Sequence, residues 1–196
     1  MTALISGWRA RFDNPDWPFC VGQLHNVGPV QTDPNEPRSW GPRRDAQLRV
    51  AQTMPHVGLT VPIDLGIVSD THYPNKQEVG RRMSLWALAQ VYGRPVVCSG
   101  PVFRSAQTEG KQMRLQFDHT EGGLAAKGER LTGFTIAGED RKFHWAEASL
   151  DAETVVVSSP DVPQPVAVRC GRAMNPPCNL YNGARLPAAP FRTDNW

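Results

Sequence analysis

Apolar and polar positions alternate with two different periods along this chain, and the change between them falls near residue 100. Leu4, Ile5, Trp8 and Phe12 recur at helical spacing and predict an amphipathic helix that stops at the Asp13-Asn14-Pro15-Asp16 breaker. The short apolar run over 18–24 has the character of a buried parallel strand, and the Pro-, Asn- and Gly-rich stretch from His25 to Ser39 reads as a surface loop. Pro42 in a first turn, with Ala46, Val50 and Met54 on one face, predicts a second helix over 41–54. A second strand over 57–63 follows. Asn75 is placed to cap a third helix, whose Val79, Met83, Trp86 and Val91 form the inward stripe and whose end is marked by Gly93. Val96-Val97-Cys98 predicts a third strand.

Helix and strand alternating in this way predict an α/β domain with a parallel sheet over residues 1–100. Two strands and a third are few for such a sheet, which normally has five or so. From residue 101 the pattern turns to short alternating runs at 113–119, 133–137, 143–150, 154–158 and 166–170, separated by Gly, Asp and Pro. They predict an all-β module of sandwich type over 101–196. The last twenty residues read as ordered coil pinned by Tyr181, Phe191 and Trp196.

Composition narrows the function classes. Twenty-one basic residues are interleaved with 19 acidic ones for a formal net charge of +2, and no like-charge run forms a binding tail, so neither nucleic acid nor an anionic membrane is an expected partner. No stretch of about 18 apolar residues could span a bilayer. The start, Met1-Thr2-Ala3-Leu4-Ile5, lacks the charged region and apolar core of an export signal, so this chain as written carries none. Cys20, Cys98, Cys170 and Cys178 are too widely spaced for a zinc ribbon or a redox Cys-x-x-Cys, and neither a metal nor a cofactor is expected. Cys20 and Cys98 read as buried thiols. Cys170 and Cys178 could bridge a short loop in an oxidising compartment.

The segment that carries chemistry is Asp70-Thr71-His72, just beyond the carboxyl end of the second strand, where open α/β sheets place their ligands. A histidine acting as general base needs a carboxylate on its other ring nitrogen to fix the tautomer, and Asp70 or Asp64 could supply it. His25 and Asn26, directly after the first strand, could line the same crevice. Arg43, Arg44 and Gln47 could hydrogen-bond an anionic or sugar ligand. His119 and His144 read as half-exposed strand histidines. The chain has no Gly-x-Ser-x-Gly elbow, and Ser99 and Ser105 read as turn residues.

Taken together, these strings are similar to a known family. The run from Asp70 to Arg82 with Leu85-Trp86-Ala87-Leu88-Ala89 resembles the histidine block of the sialate O-acetylesterases, carbohydrate esterases of the SGNH-hydrolase superfamily. Gly133 to Gly138, Pro165 to Arg169, Asn179-Leu180-Tyr181-Asn182 and Pro190 to Asp194 resemble the same family, as do Pro18-Phe19, Gln23-Leu24 and Trp40 to Gln47. The resemblance implies a partial three-layer SGNH-like parallel sheet followed by the β module. It further implies hydrolysis of O-acetyl esters of sialic acid or related sugars, with His72 as general base and Asp70, two residues before it, as the favoured acid. The matched strings follow the family's Gly-Asp-Ser and oxyanion-hole blocks, so the chain resembles a C-terminal half that needs an N-terminal segment to supply the serine. Complete members of the family are often exported. The alternatives are a non-catalytic carbohydrate-binding or structural fragment, and a domain that dimerises through its unpaired sheet edge.

Overall fold

A computed structural model describes residues 1–37 and 39–196; Arg38, within the loop expected between His25 and Ser39, lies outside them. Helix α1 (Thr2–Arg11) leads to strand β1 (Phe19–Gly22), helix α2 (Gly41–Thr53), strand β2 (Val57–Thr60) and helix α3 (Lys76–Gln90). Strands β1 and β2 pair in parallel, from Phe19 opposite Val57 to Gly22 opposite Thr60. Their side chains alternate between two faces, as strand geometry requires. On one face Phe19, Val21, Val57 and Leu59 meet Ile5 of α1 and Val50, Ala51 and Met54 around the end of α2. On the other, Gly58 leaves room for the Trp86 indole of α3, and a Cβ there would stand 1.9 Å from its Nε1. The layers are helix, sheet, helix, but among the described residues the sheet has two strands.

The expected third strand over 96–98 does not form: residues 95–101 join no ladder. Just beyond the expected strand, the Asn182 side chain binds the Ser99 oxygen at 2.9 Å and the Ala189 amide binds the Pro101 oxygen at 2.9 Å, which ties this stretch to the 182–189 segment. Strand β2 also ends at Thr60 rather than Ile63, where its partner β1 ends.

Every strand after residue 100 pairs antiparallel. One four-stranded sheet runs β3 (Val102–Glu109), β4 (Gln112–Asp118), β9 (Thr154–Ser158), β8 (Glu147–Asp151); the other runs β12 (Phe191–Arg192), β10 (Ala167–Cys170), β6 (Phe134–Ala137), β7 (Phe143–Trp145). A third, two-stranded sheet joins β5 (Leu124–Ala126) to β11 (Leu180–Asn182). Met113, Leu115, Phe117, Val155 and Val157 from the first sheet pack on Phe134, Ile136, Val168, Cys170 and Phe191 from the second. This is one sandwich core made by the inner faces of two sheets. The single run expected over 143–150 breaks at Ala146, and its halves go to opposite sheets, β7 beside β6 and β8 beside β9. The expected terminal coil contains β11 and β12, with Phe191 stacked on Phe103 at 4.8 Å.

The two parts are stitched by Arg44, which is fully buried in α2. Its five N–H groups all meet main-chain carbonyls. Nε donates to Leu24 at 2.9 Å; Nη1 donates to Gly171 at 2.9 Å and Ala173 at 2.6 Å; Nη2 donates to His25 at 2.6 Å and Met174 at 3.1 Å. Burial pushes its pKa down to about 10, so it stays charged at neutral pH. Arg44→Ala leaves these carbonyls without donors, Met174 apart, which keeps the Val27 amide, and should destabilise the chain on the order of 4 kcal/mol. Arg44→Lys, with three donors and no fork, should recover only part. Urea unfolding of the two variants checks the order; an Arg44→Ala midpoint equal to the parent's overturns the assignment.

Candidate functional site

The loop between β2 and α3 carries the candidate chemistry; its far end is held by a sequence-local cap and its start by residues distant in the chain. At its far end Asn75 caps α3, its Oδ1 accepting from the Glu78 amide at 3.1 Å. Near its start Asn26 accepts from the Gly66 amide at 2.7 Å and donates to Asn175 Oδ1 at 2.9 Å. Gly66 passes so close that a Cβ would lie 1.7 Å from the Asn26 carbonyl oxygen. Asn26 thus ties the loop to the end of β1 and to the 171–175 segment.

At the loop's outer turn, Asp70 Oδ1 accepts from the His72 amide at 2.7 Å and stands 3.4 Å from His72 Nδ1. One carboxylate oxygen therefore fixes the main chain at His72 and faces one nitrogen of its ring. Nε2 is left pointing away from that partner on a side chain that is 89% exposed. The 3.4 Å separation is longer than a well-formed hydrogen bond; catalytic contacts commonly tighten only when substrate is bound. Asp64, the other carboxylate considered for this role, is committed elsewhere. Arg82 grips it with two bonds of 2.7 and 2.8 Å, and the Tyr181 hydroxyl donates to it at 3.0 Å.

His25 lies beneath the turn. It is buried, its ring 4.3 Å from the Tyr73 ring and 5.8 Å from that of Trp40, and its Nε2 has no hydrogen-bond partner. Lys76 covers the outer side of Tyr73, with its Nζ 3.7 Å from the ring centre. Burial, then the positive charges of Lys76 and Arg44, lower the His25 pKa below its ordinary value. The structure therefore brings His25 and Tyr73 together under His72, and holds Asn26 at the loop's base.

Arg44 is placed differently. With all five donors spent on carbonyls it has none for a ligand, and Gln47 likewise accepts from the Leu24 amide at 2.9 Å. Arg43 is exposed on α2. His119 and His144 face Glu121 and Asp161 at 3.9 and 3.6 Å on the β module. Ser99 Oγ donates to the Gly100 carbonyl and Ser105 Oγ meets Gln116, so no hydrogen bond joins His72 to a serine among the described residues. All four cysteines are free thiols; burial pushes Cys178 up to about 11 and Cys170 well above its ordinary value, which makes these two poor nucleophiles.

Sequence reasoning named Tyr181 only as a pin for the terminal coil and Arg82 only as part of the Asp70 to Arg82 string, and gave neither this role. Arg82 is buried on the α3 face that apolar periodicity assigns to the core, and its one local signal is Glu78 four residues earlier, which accepts from it at 2.8 Å. A cavity of about 510 Å³ opens beside this network, lined by Asp64, Arg82, Lys127, Tyr181, Asn182 and Arg185.

No protein-family model matches the chain, and no curated protein sequence does. Among solved structures it is similar to a carbohydrate acetylesterase from Xanthomonas citri, at 39% identity over 99% of this chain with a TM-score of 0.91. The described residues therefore share the fold of a segment of that carbohydrate acetylesterase. The chain spans less than half of that protein, 45% of its length.

Hydrogen bonds from Arg81, opposed by burial and joined by those from Arg82, hold Glu78 down at about 2. Burial alone would raise Asp64, but the bonds and charge of Arg82 outweigh it and keep it below its ordinary value. Both carboxyls titrate near 4 when unfolded. Their contribution to stability is thus present above about pH 4 and is lost as pH falls toward 2. Urea midpoints at pH 6 and pH 2.5 should differ less in an Asp64→Asn, Glu78→Gln double variant than in the parent; equal differences overturn the linkage.

Proposed function

We propose that this chain is the histidine-bearing segment of a serine-type carbohydrate O-acetylesterase of the sialate class. The observation that carries the reading is the Asp70–His72 turn: a carboxylate anchored by a backbone amide, facing Nδ1 and leaving Nε2 free. That division of the two ring nitrogens is what a general base requires. Support comes from the 39% identity to a carbohydrate acetylesterase over nearly the whole chain.

In the proposed reaction, His72 Nε2 takes the proton of a serine hydroxyl as its oxygen attacks the acetyl carbonyl. The tetrahedral intermediate collapses, the sugar oxygen leaves with that proton, and a water activated by the same nitrogen then releases acetate from the serine. Asp70 stabilises the imidazolium at each stage. An N-terminal segment is proposed to supply the serine and the oxyanion hole. Sialate specificity is favoured by the cavity beside Tyr181, where Lys127 and Arg185 have no ion-pair partner among the described residues and give it a positive lining suited to a carboxylated sugar.

The 196-residue chain alone should turn over p-nitrophenyl acetate and O-acetylated sialic acid negligibly. Once a serine-bearing segment is supplied, His72→Ala should lower kcat by about 10³-fold or more, and Asp70→Asn by a smaller factor. Turnover by the chain alone that His72→Ala abolishes refutes the need for a second segment. Calorimetric titration showing saturable sugar binding, with no hydrolysis even in the assembled protein, favours a binding module instead.

A further inference from the structure

The β sandwich is open where the chain crosses between its sheets at Ala146. Residues 145–148 pass there from β7 to β8, and a cavity of about 660 Å³ lies against them, walled on its other sides by residues 130–133, 159–161 and Pro177. That volume accommodates a small ligand. The walls are fixed. Asn179 accepts from the Thr132 amide at 2.8 Å and donates to the Arg130 carbonyl at 2.9 Å, while the Thr132 hydroxyl donates to the Pro177 carbonyl. Trp145 is pinned through its Nε1, which donates to the Thr32 carbonyl at 3.2 Å, yet the residue stays 37% exposed. Walls ordered before a ligand arrives lower the cost of binding it.

We propose that this cavity binds a neutral pyranose unit of a carbohydrate, stacked on Trp145. The polar groups that line it are those a sugar's hydroxyls require. Ser159 is 6% exposed, and its hydroxyl has no hydrogen-bond partner among the described residues. Buried hydroxyls are normally paired, so one left open at a cavity wall is available to a ligand. Glu147 and Arg130 are exposed and enter no ion pair among the described residues, which leaves a carboxylate and a guanidinium to bond neighbouring hydroxyls. The indole supplies a negative π face to the C–H groups on the flat side of a pyranose ring. Charge selects against other occupants. Two carboxylates, Glu147 and Asp161, against the single guanidinium of Arg130 disfavour an anion, including the carboxylated sugar proposed for the cavity beside Tyr181. A metal ion lacks ligands, because no group of three His, Cys, Asp or Glu side chains that could hold one occurs among the described residues.

Calorimetric titration of the full chain with cellobiose tests this, since every hydroxyl of a β-glucose ring is equatorial and its faces present only C–H groups. Saturable binding is expected. Trp145→Ala should weaken it about tenfold or more. Because Trp145→Ala also removes the bond to Thr32, the second variant is Glu147→Ala, whose side chain makes no bond of the fold and which should weaken binding by about fivefold. His72→Ala should leave cellobiose binding unchanged, so this site stands even if the esterase reading fails. Absence of saturable binding, or binding that survives either cavity substitution, overturns the proposal. N-acetylneuraminic acid bound through the same residues overturns the neutral class. Hexaproline bound there more tightly than cellobiose assigns the cavity to a peptide and overturns it equally.

Discussion

The guanidinium of Arg44 is the constraint on which the rest of the arrangement depends. Five carbonyls from two stretches of chain more than a hundred residues apart converge on one planar cation, and the Val27 amide joins it at Met174, at 3.2 Å. Two of them, Leu24 and His25, lie just past β1, where the candidate crevice begins. Three lie at Gly171, Ala173 and Met174, where the β module leaves β10. A rigid fork can satisfy this set in one geometry, so the end of β1 and the 171–174 segment are fixed relative to each other.

From that fixed point the candidate site follows by short steps. His25, whose carbonyl is held by Arg44, supports the Tyr73 ring, and Tyr73 adjoins His72 in the chain. Asn26 holds Gly66 at the other end of the same loop. Asn175, next to the clamped segment, holds Asn26. The β module is thus part of the scaffold of the loop, through backbone and amide contacts rather than through residues that face a ligand. Asp64, Arg82 and Tyr181 add a second tie between the same two parts.

Much of the α/β part was legible because its signals are local. Asn75 as a cap and Pro42 in a first turn act within a turn of helix and mark where α3 and α2 start, while Ala46 and Val91, expected on the inward stripes, are exposed and α3 ends at Gln90, before Gly93. The strands whose faces are half buried, such as β4 and β9, alternate as a sandwich demands and were equally readable. The edge strand β3, largely exposed and polar, has no such alternation and was missed. The run over 143–150 reads as one strand because its pattern continues through Ala146; only the presence of two sheets splits it.

By itself the sequence determined which residue types could carry acid–base chemistry, where Asp70-Thr71-His72 falls relative to a strand end, and that no activated serine accompanies it. Those are properties of composition and short spacing. Which carboxylate faces the histidine, and what Arg44 does, were decided by tertiary structure, because both depend on partners distant in the chain. Asp64 is removed from consideration by Arg82 and Tyr181, residues 18 and 117 positions away. Arg44, plausible as a ligand contact on a helix surface, became the clamp of the fold once the 171–174 carbonyls closed around it.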